Sequence, residues 1–170
     1  MIKTERLLLR ELRTEDLVDF YELMSCPAVV LYEPYSVMSM EEAEKELERR
    51  VSSKSFLAIV LNDTGKVIGN IYLGHRDFDT AELGYLLHVV YWHKGIAQEA
   101  CRAVIKDAFD QGIHRVYAQC DPENAASWHL LERLGFLREG HFRQNVYFSR
   151  DDQDRPIWKD TYLYALLNAI

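Results

Sequence analysis

Cysteine is sparse in this chain and unpatterned. Cys26, Cys101 and Cys120 are scattered and odd in number. No Cys-x-x-Cys or Cys/His spacing suggests zinc, so no metal is expected. Cys101 falls on an apolar helix face and Cys120 ends a strand pattern, so both are read as small core residues. This usage fits a reducing cytoplasm. No apolar run approaches the length that spans a bilayer, and Met1 to Arg6 is not followed by the apolar stretch of a signal peptide. Positive charge is also short: the formal net charge is −7. That argues against a general nucleic-acid or membrane-surface binder, and any polyanion must be held locally through backbone donors. Neither the Walker lysine-Ser/Thr pair nor Gly-x-Gly-x-x-Gly occurs, which argues against common nucleotide-binding domains. Internal repeats, linkers and low-complexity segments are absent as well. The 170 residues suffice for one domain with a full core, residues 1–170.

What is present is a regular succession of patterns. Arg6 to Leu12 reads as a strand. Thr14 is the expected cap of a first helix with Leu17, Val18, Phe20, Tyr21 and Met24 as its buried stripe. Pro27 and Pro34 bracket a loop. Ser39 and Glu42 form a capping box opening a charged helix to about Val51, whose charges are read as a solvated face without chemistry. Strands at 56–61 and 66–73 are joined by the hairpin signal Asn62-Asp63-Thr64-Gly65. A strand follows from Ala81 to Val90, a helix from Ile96 to Gln111 closed by Gly112, and a strand from Arg115 to Cys120. A short helix from Asn124 to Leu134 ends at Gly135. Two closing strands, 136–148 and 157–167, flank a polar loop, Ser149 to Pro156, the best candidate for local disorder. This order predicts an α/β (α+β) fold: a mixed central sheet with helices on both faces and a parallel strand pair within 81–120.

The most informative stretch is Trp92 to Ala100. A glycine-containing turn between a strand and a periodic helix, whose apolar face is Ala97, Ala100, Cys101, Val104, Ile105, Ala108 and Phe109, exposes unpaired backbone N–H groups at the positive end of a helix dipole. Such a turn is a ready anion site, and a phosphate-bearing ligand is expected there.

At this point four blocks resemble one family in order and at family spacing. They are Thr4-Glu5-Arg6-Leu7-Leu8-Leu9-Arg10 with Glu15-Asp16-Leu17; Glu82-Leu83-Gly84-Tyr85 with Trp92 to Ala100; Asn124-Ala125-Ala126-Ser127 with Leu131 to Phe136; and Trp158-Lys159-Asp160 before an apolar strand. Together they resemble the GNAT superfamily of acyl-coenzyme A-dependent N-acetyltransferases, and within it the RimJ/RimL branch that acetylates ribosomal-protein N-termini. The resemblance implies a single GNAT-like domain with a splayed parallel strand pair and acetyl-CoA as co-substrate. The acceptor it implies is an amine: a protein or peptide N-terminus, or alternatively a small amine such as a polyamine, or an aminoglycoside-like antibiotic. A non-catalytic acyl-CoA-binding module is the remaining alternative. No nucleic-acid or membrane partner is expected, and a homodimer is implied by analogy only.

The resemblance also assigns residues. The pyrophosphate is expected on the backbone amides of residues 93 to 98: His93, Lys94, Gly95, Ile96, Ala97 and Gln98. Trp92 holds the first marked position of the phosphate loop, and His93 stands where the branch has glycine. Leu87, His88 and Val89 are expected to pair with pantetheine and polarise the thioester through main chain. Glu82 is the expected general base, acting through water, its carboxyl desolvated in the cleft. His88 lies six residues on, roughly 20 Å at ~3.3 Å per residue, too far for a direct dyad with Glu82. His75 is a looser alternative. The thiolate-protonating Tyr of many relatives is replaced by Leu131. Ser127 can serve instead, or merely cap the helix, and Asn124 can bind pantetheine amides or cap. The acceptor side is expected to use Tyr32, Glu33, Tyr35, Tyr147 and Trp158, since aromatics with acids suit a cationic amine.

Overall fold

A computed structural model describes residues 1–169. Its strands are β1 (Ile2–Lys3), β2 (Leu7–Glu11), β3 (Phe56–Leu61), β4 (Val67–Arg76), β5 (Thr80–Leu87), β6 (Arg115–Cys120), β7 (Leu137–Arg150) and β8 (Pro156–Leu167). They form one sheet in the order β1-β2-β3-β4-β5-β6-β8-β7. Every neighbouring pair is antiparallel except β5 with β6, which pair in parallel over three residues only, Thr80–Glu82 with Arg115–Tyr117. Beyond Glu82 the two strands separate, and the sheet opens into a notch.

Helices cover both faces. Helix α1 (Leu17–Met24), α2 (Pro27–Val30) and α3 (Met40–Ser53) bury Phe20, Leu23, Met24, Ala43 and Leu47 against Ala58, Val60 and Leu86. On the other face, α4 (Ile96–Asp110) and α5 (Ala125–Arg133) bury Ala100, Cys101, Val104, Ile105 and Leu131 against Leu83, Leu87, Val116 and Tyr164. Strand alternation sends Leu83, Tyr85 and Leu87 to the α4 side and Leu86 to the α1 side, as the sequence pattern requires.

Several expectations are corrected. The strand drawn to Val90 ends at Leu87, and Val89–Tyr91 form a 3-10 turn. The His88 N–H donates to the Ile68 carbonyl at 2.8 Å, a bond across to β4, and the His88 Nδ1 accepts from the Val90 N–H at 3.4 Å as the chain turns. Thr14 is not a helix cap but starts a 3-10 turn, Thr14–Asp16, held by Asp16 accepting from the Arg13 N–H and the Arg10 guanidinium. That turn rotates α1, so Leu23 is buried while Val18 is 71% exposed. The loop between Pro27 and Pro34 contains α2. Ser149 to Pro156 is a tight turn between β7 and β8, closed by the Asp151 carboxylate accepting from the N–H groups of Gln153 and Arg155. The capping box of Ser39 and Glu42 is present, but the helix it opens is not wholly solvated: Arg50 is 3% exposed and reaches into the molecule.

Candidate active site

A cleft of about 1180 Å³ follows the notch between β5 and β6 and runs across the sheet toward α3. One end meets the turn before α4. Trp92 anchors that turn, its indole N–H donating to the Leu87 carbonyl at 2.6 Å. Gly95 caps α4 with φ 74 and His93 stands at φ 57. The left-handed conformation at His93 explains why glycine suits this position, since a side chain there costs roughly 1–2 kcal/mol. Among the described residues, none accepts from the main-chain N–H of residues 93 to 98; the first intrahelical bond is from Glu99 to the Gly95 carbonyl at 3.0 Å. Six consecutive amides are therefore left at the positive end of the helix.

The turn is braced from behind. Glu99 accepts from the Thr4 hydroxyl at 2.6 Å, the Arg6 N–H at 3.0 Å and the Arg6 Nε at 2.6 Å. Arg6 also donates to the Lys94 carbonyl at 2.9 Å. Burial opposes the charge on Glu99, but the donors from Thr4 and Arg6 outweigh it and hold the carboxyl below the usual range. The opening Thr-Glu-Arg block thus acts on the turn through Glu99. Gly95, Ile96, Ala97, Gln98 and His93 line the cleft, whereas the Lys94 side chain lies outside, 5.7 Å over the Tyr91 ring.

Along the notch, antiparallel pairing directs the N–H and C=O of alternate β5 residues. The His88 bond to Ile68 fixes the even-numbered residues toward β4. Tyr85 and Leu87 therefore present main-chain groups to the open side, the Leu87 carbonyl being taken by Trp92, while the Leu83 N–H closes the last ladder bond to β6. Of the expected trio, only Leu87 stays on this edge. The His88 N–H is already bonded, and its imidazole Nε2 lies 3.7 Å from Glu22, outside the cleft. Val89 is in the 3-10 turn.

At the base of the notch Glu82 lines the cleft, with its side chain 27% exposed. The structure does not leave it desolvated in apolar surroundings: the Arg76 guanidinium donates to it, and Arg76 also donates to the Tyr72 hydroxyl at 3.0 Å. His75 is exposed at the far end of β4 and lies outside the cleft.

Opposite β5, Asn124 caps α5 by accepting from the Ser127 N–H at 3.2 Å. Capping is thus done by Asn124, and the Ser127 hydroxyl is free for another partner. It lies 2.8 Å from the Tyr85 hydroxyl, which also reaches the Ser127 carbonyl at 3.1 Å. Burial pushes the Tyr85 phenol far above its ordinary range, so it stays protonated. Cys120 packs against the core as expected and also lines the cleft beside Ser127. Burial pushes its thiol up to about 11, which makes it a poor nucleophile. Leu131 is fully buried and donates nothing to the cleft. Beyond its place in the Glu82-Leu83-Gly84-Tyr85 block, Tyr85 carries a signal of its own: a phenol at a core-facing position needs a partner when buried.

On the acceptor side, Tyr32, Glu33 and Tyr35 line the cleft, joined by Arg50, Asn70 and Tyr72, which sequence reasoning missed. Tyr147 and Trp158 pack against each other at 5.3 Å on the outer hairpin and do not line it. No group of three metal-ligating side chains occurs among the described residues, and no helix among them is long and apolar enough to cross a membrane.

Comparison with known proteins agrees with this geometry. The family model described as an acetyltransferase (GNAT) domain matches residues 6–137. The chain is 31% identical over 172 residues to the uncharacterized N-acetyltransferase YnaD of Bacillus subtilis, covering 98% of this chain and 96% of that one. It superposes on a GNAT-family acetyltransferase from Bacillus anthracis with a TM-score of 0.88 at 30% identity, covering 98% and 97% of the two chains. Over 90 residues, 52% of this chain and 43% of the relative, it is 38% identical to a [ribosomal protein uS5]-alanine N-acetyltransferase of Escherichia coli. The chain belongs to the GNAT family and is an acetyl-CoA-dependent N-acetyltransferase.

Proposed function

We propose that the six free amides of residues 93 to 98 hold the pyrophosphate of acetyl-CoA and that the open edge of β5 receives its pantetheine arm. The carrying observation is that these two sets of unpartnered main-chain groups are continuous along one cleft. The Leu87 N–H, nearest the phosphate turn, holds pantetheine; that of Tyr85, deeper in the notch, polarises the thioester carbonyl. Glu82 takes a proton from the acceptor ammonium through water, and the freed amine attacks the thioester carbon. The C–S bond breaks as the adduct nitrogen gives up its second proton, and coenzyme A leaves as the thiol, the Ser127 hydroxyl donating to the departing sulfur. The single Tyr85 proton bonds the Ser127 carbonyl; when it turns to Ser127 Oγ, the serine hydrogen is left to face that sulfur.

For the acceptor, we read a protein or peptide N-terminus, in a branch like RimJ/RimL. The local likeness to the uS5-alanine enzyme supports this reading. The alternative is a polyamine, favoured by a Vibrio cholerae relative named spermidine N(1)-acetyltransferase that is 26% identical over 88% of this chain. Incubation with acetyl-CoA and a library of peptides and small amines, read by mass for the gain of one acetyl group, decides between them. Modified peptides are expected; modification of polyamines alone would reverse the assignment.

Replacing Ser127 by Ala leaves the Asn124 cap intact, because that bond uses the main-chain N–H. Steady-state kinetics of Ser127→Ala should show kcat lower by about ten-fold or more with acetyl-CoA affinity barely changed. An unaltered kcat would reduce Ser127 to a structural role.

A further inference from the structure

The acceptor end of the cleft contains a buried polar corner that the transfer chemistry above does not use. Asn70 on β4 is 1% exposed and Arg50 on α3 is 3% exposed. The guanidinium is fixed on three sides: Nε donates to Glu46 at 2.7 Å, Nη2 to the Tyr35 hydroxyl at 3.3 Å and Nη1 to the Asn70 Oδ1 at 3.2 Å. Phe56, at 4.7 Å from the guanidinium carbon, and Phe20, at 5.3 Å, cover its faces. This arrangement sets the direction of the amide. Its oxygen must face the all-donor guanidinium, so its nitrogen faces away. That nitrogen has no hydrogen-bond partner among the described residues. A buried amide N–H left unpaired is destabilising, and a ligand oxygen can remove that cost.

The position relates this donor to the reaction. Asn70 pairs across the ladder with Leu86, the residue between Tyr85 and Leu87, on the cleft face of the sheet. Directly opposed residues of this kind lie ~5 Å apart. The open edge lies one strand spacing beyond β5, so the Asn70 backbone is ~10 Å from an acetyl group held there, a gap that the Asn70 side chain and an α-aminoacyl group together span. Glu33 lines the same corner beside Tyr35 and offers a carboxyl to a cationic nitrogen. Donor and carboxyl side by side match an ammonium with a carbonyl on the adjacent carbon. A polyamine has no oxygen to offer.

We propose that Asn70, oriented by Arg50, is a specificity subsite for the carbonyl oxygen of an α-aminoacyl group. The acceptor is then an amine flanked by a carbonyl, as in a peptide N-terminus or an amino-acid amide. The proposal rests on the acetyl-transfer reading above and narrows its substrate class.

The test compares alanyl peptide with isopropylamine, which keeps the branched carbon but lacks the carbonyl, and with spermidine. Each is assayed as kcat/KM per concentration of free base, in the wild type and in Asn70→Asp. The substituted carboxylate keeps an acceptor toward Arg50 but removes the donor. The wild type should favour the peptide by about ten-fold or more, and Asn70→Asp should cut the peptide-to-isopropylamine ratio by about ten-fold, mainly through the peptide KM. Comparing that ratio between the two proteins cancels the difference in amine basicity. An unchanged ratio in a variant that still binds coenzyme A overturns the subsite. So does a wild type that acetylates isopropylamine or spermidine as well as peptide, an outcome that leaves acetyl transfer standing and needs no variant to fold. Coenzyme A binding with no acetylation of any amine would sink the transfer reading itself, and the subsite with it.

Discussion

Glu82→Gln is expected to lower kcat by about a hundred-fold with any amine acceptor while leaving acetyl-CoA affinity within about two-fold. An acceptor amine reaches the cleft as ammonium at neutral pH and cannot attack until it loses a proton. Glu82 sits where the notch closes and lines the cleft. Glutamine keeps the size and a hydrogen-bond acceptor toward Arg76 but cannot take the proton. Because Arg76 also bonds Tyr72, the substitution should not unsettle the sheet. The deficit should shrink as pH rises, since more amine then arrives already deprotonated. Rates measured from neutral to alkaline pH check both points. A variant within three-fold of wild type at neutral pH would remove Glu82 from the proton path and leave proton loss to water.

The second large effect concerns binding. Gly95→Asp should weaken coenzyme A by about a hundred-fold or more, read as Kd by titration calorimetry. Gly95 has φ 74, a conformation aspartate tolerates better than most residues, and an added Cβ would meet only Arg6 Nη2, at 3.6 Å. The fold should therefore survive. What changes is a carboxylate placed among six amides that otherwise offer only positive partial charge, so a diphosphate meets like charge at close range. A Kd within three-fold of wild type would mean the diphosphate lies elsewhere.

The frame of the molecule was legible because its signals are local. The β6 bounds, the turn at Gly65, the capping box at Ser39 and the glycine after α4 each follow from residue type at fixed spacing. The turn of free amides before α4 was legible for the same reason, since main-chain donors do not depend on neighbours far along the chain. What escaped was set by tertiary contact. The end of β5 at Leu87 depends on a bond from His88 to Ile68, twenty positions back, and no local pattern announces it. Arg50 looked like one more charge on a solvated helix. Only the packing of α3 over β4 turns it inward to Asn70. Tyr85 and Ser127 are 42 positions apart, so their contact had no spacing to betray it. The aromatics Tyr147 and Trp158 failed in the opposite way: their chemistry suited the cleft, but Val146, Phe148 and Lys159 beside them on the hairpin line it and they do not.

The central claim is that main-chain amides before α4 grip a diphosphate and so aim a thioester along β5. Calorimetric titration of the wild-type protein with coenzyme A and, separately, with pantetheine tests it most directly, because the two share the thiol arm and differ in the phosphates. Coenzyme A should bind at least a hundred-fold more tightly than pantetheine; equal affinities, or no heat with coenzyme A, would contradict the account.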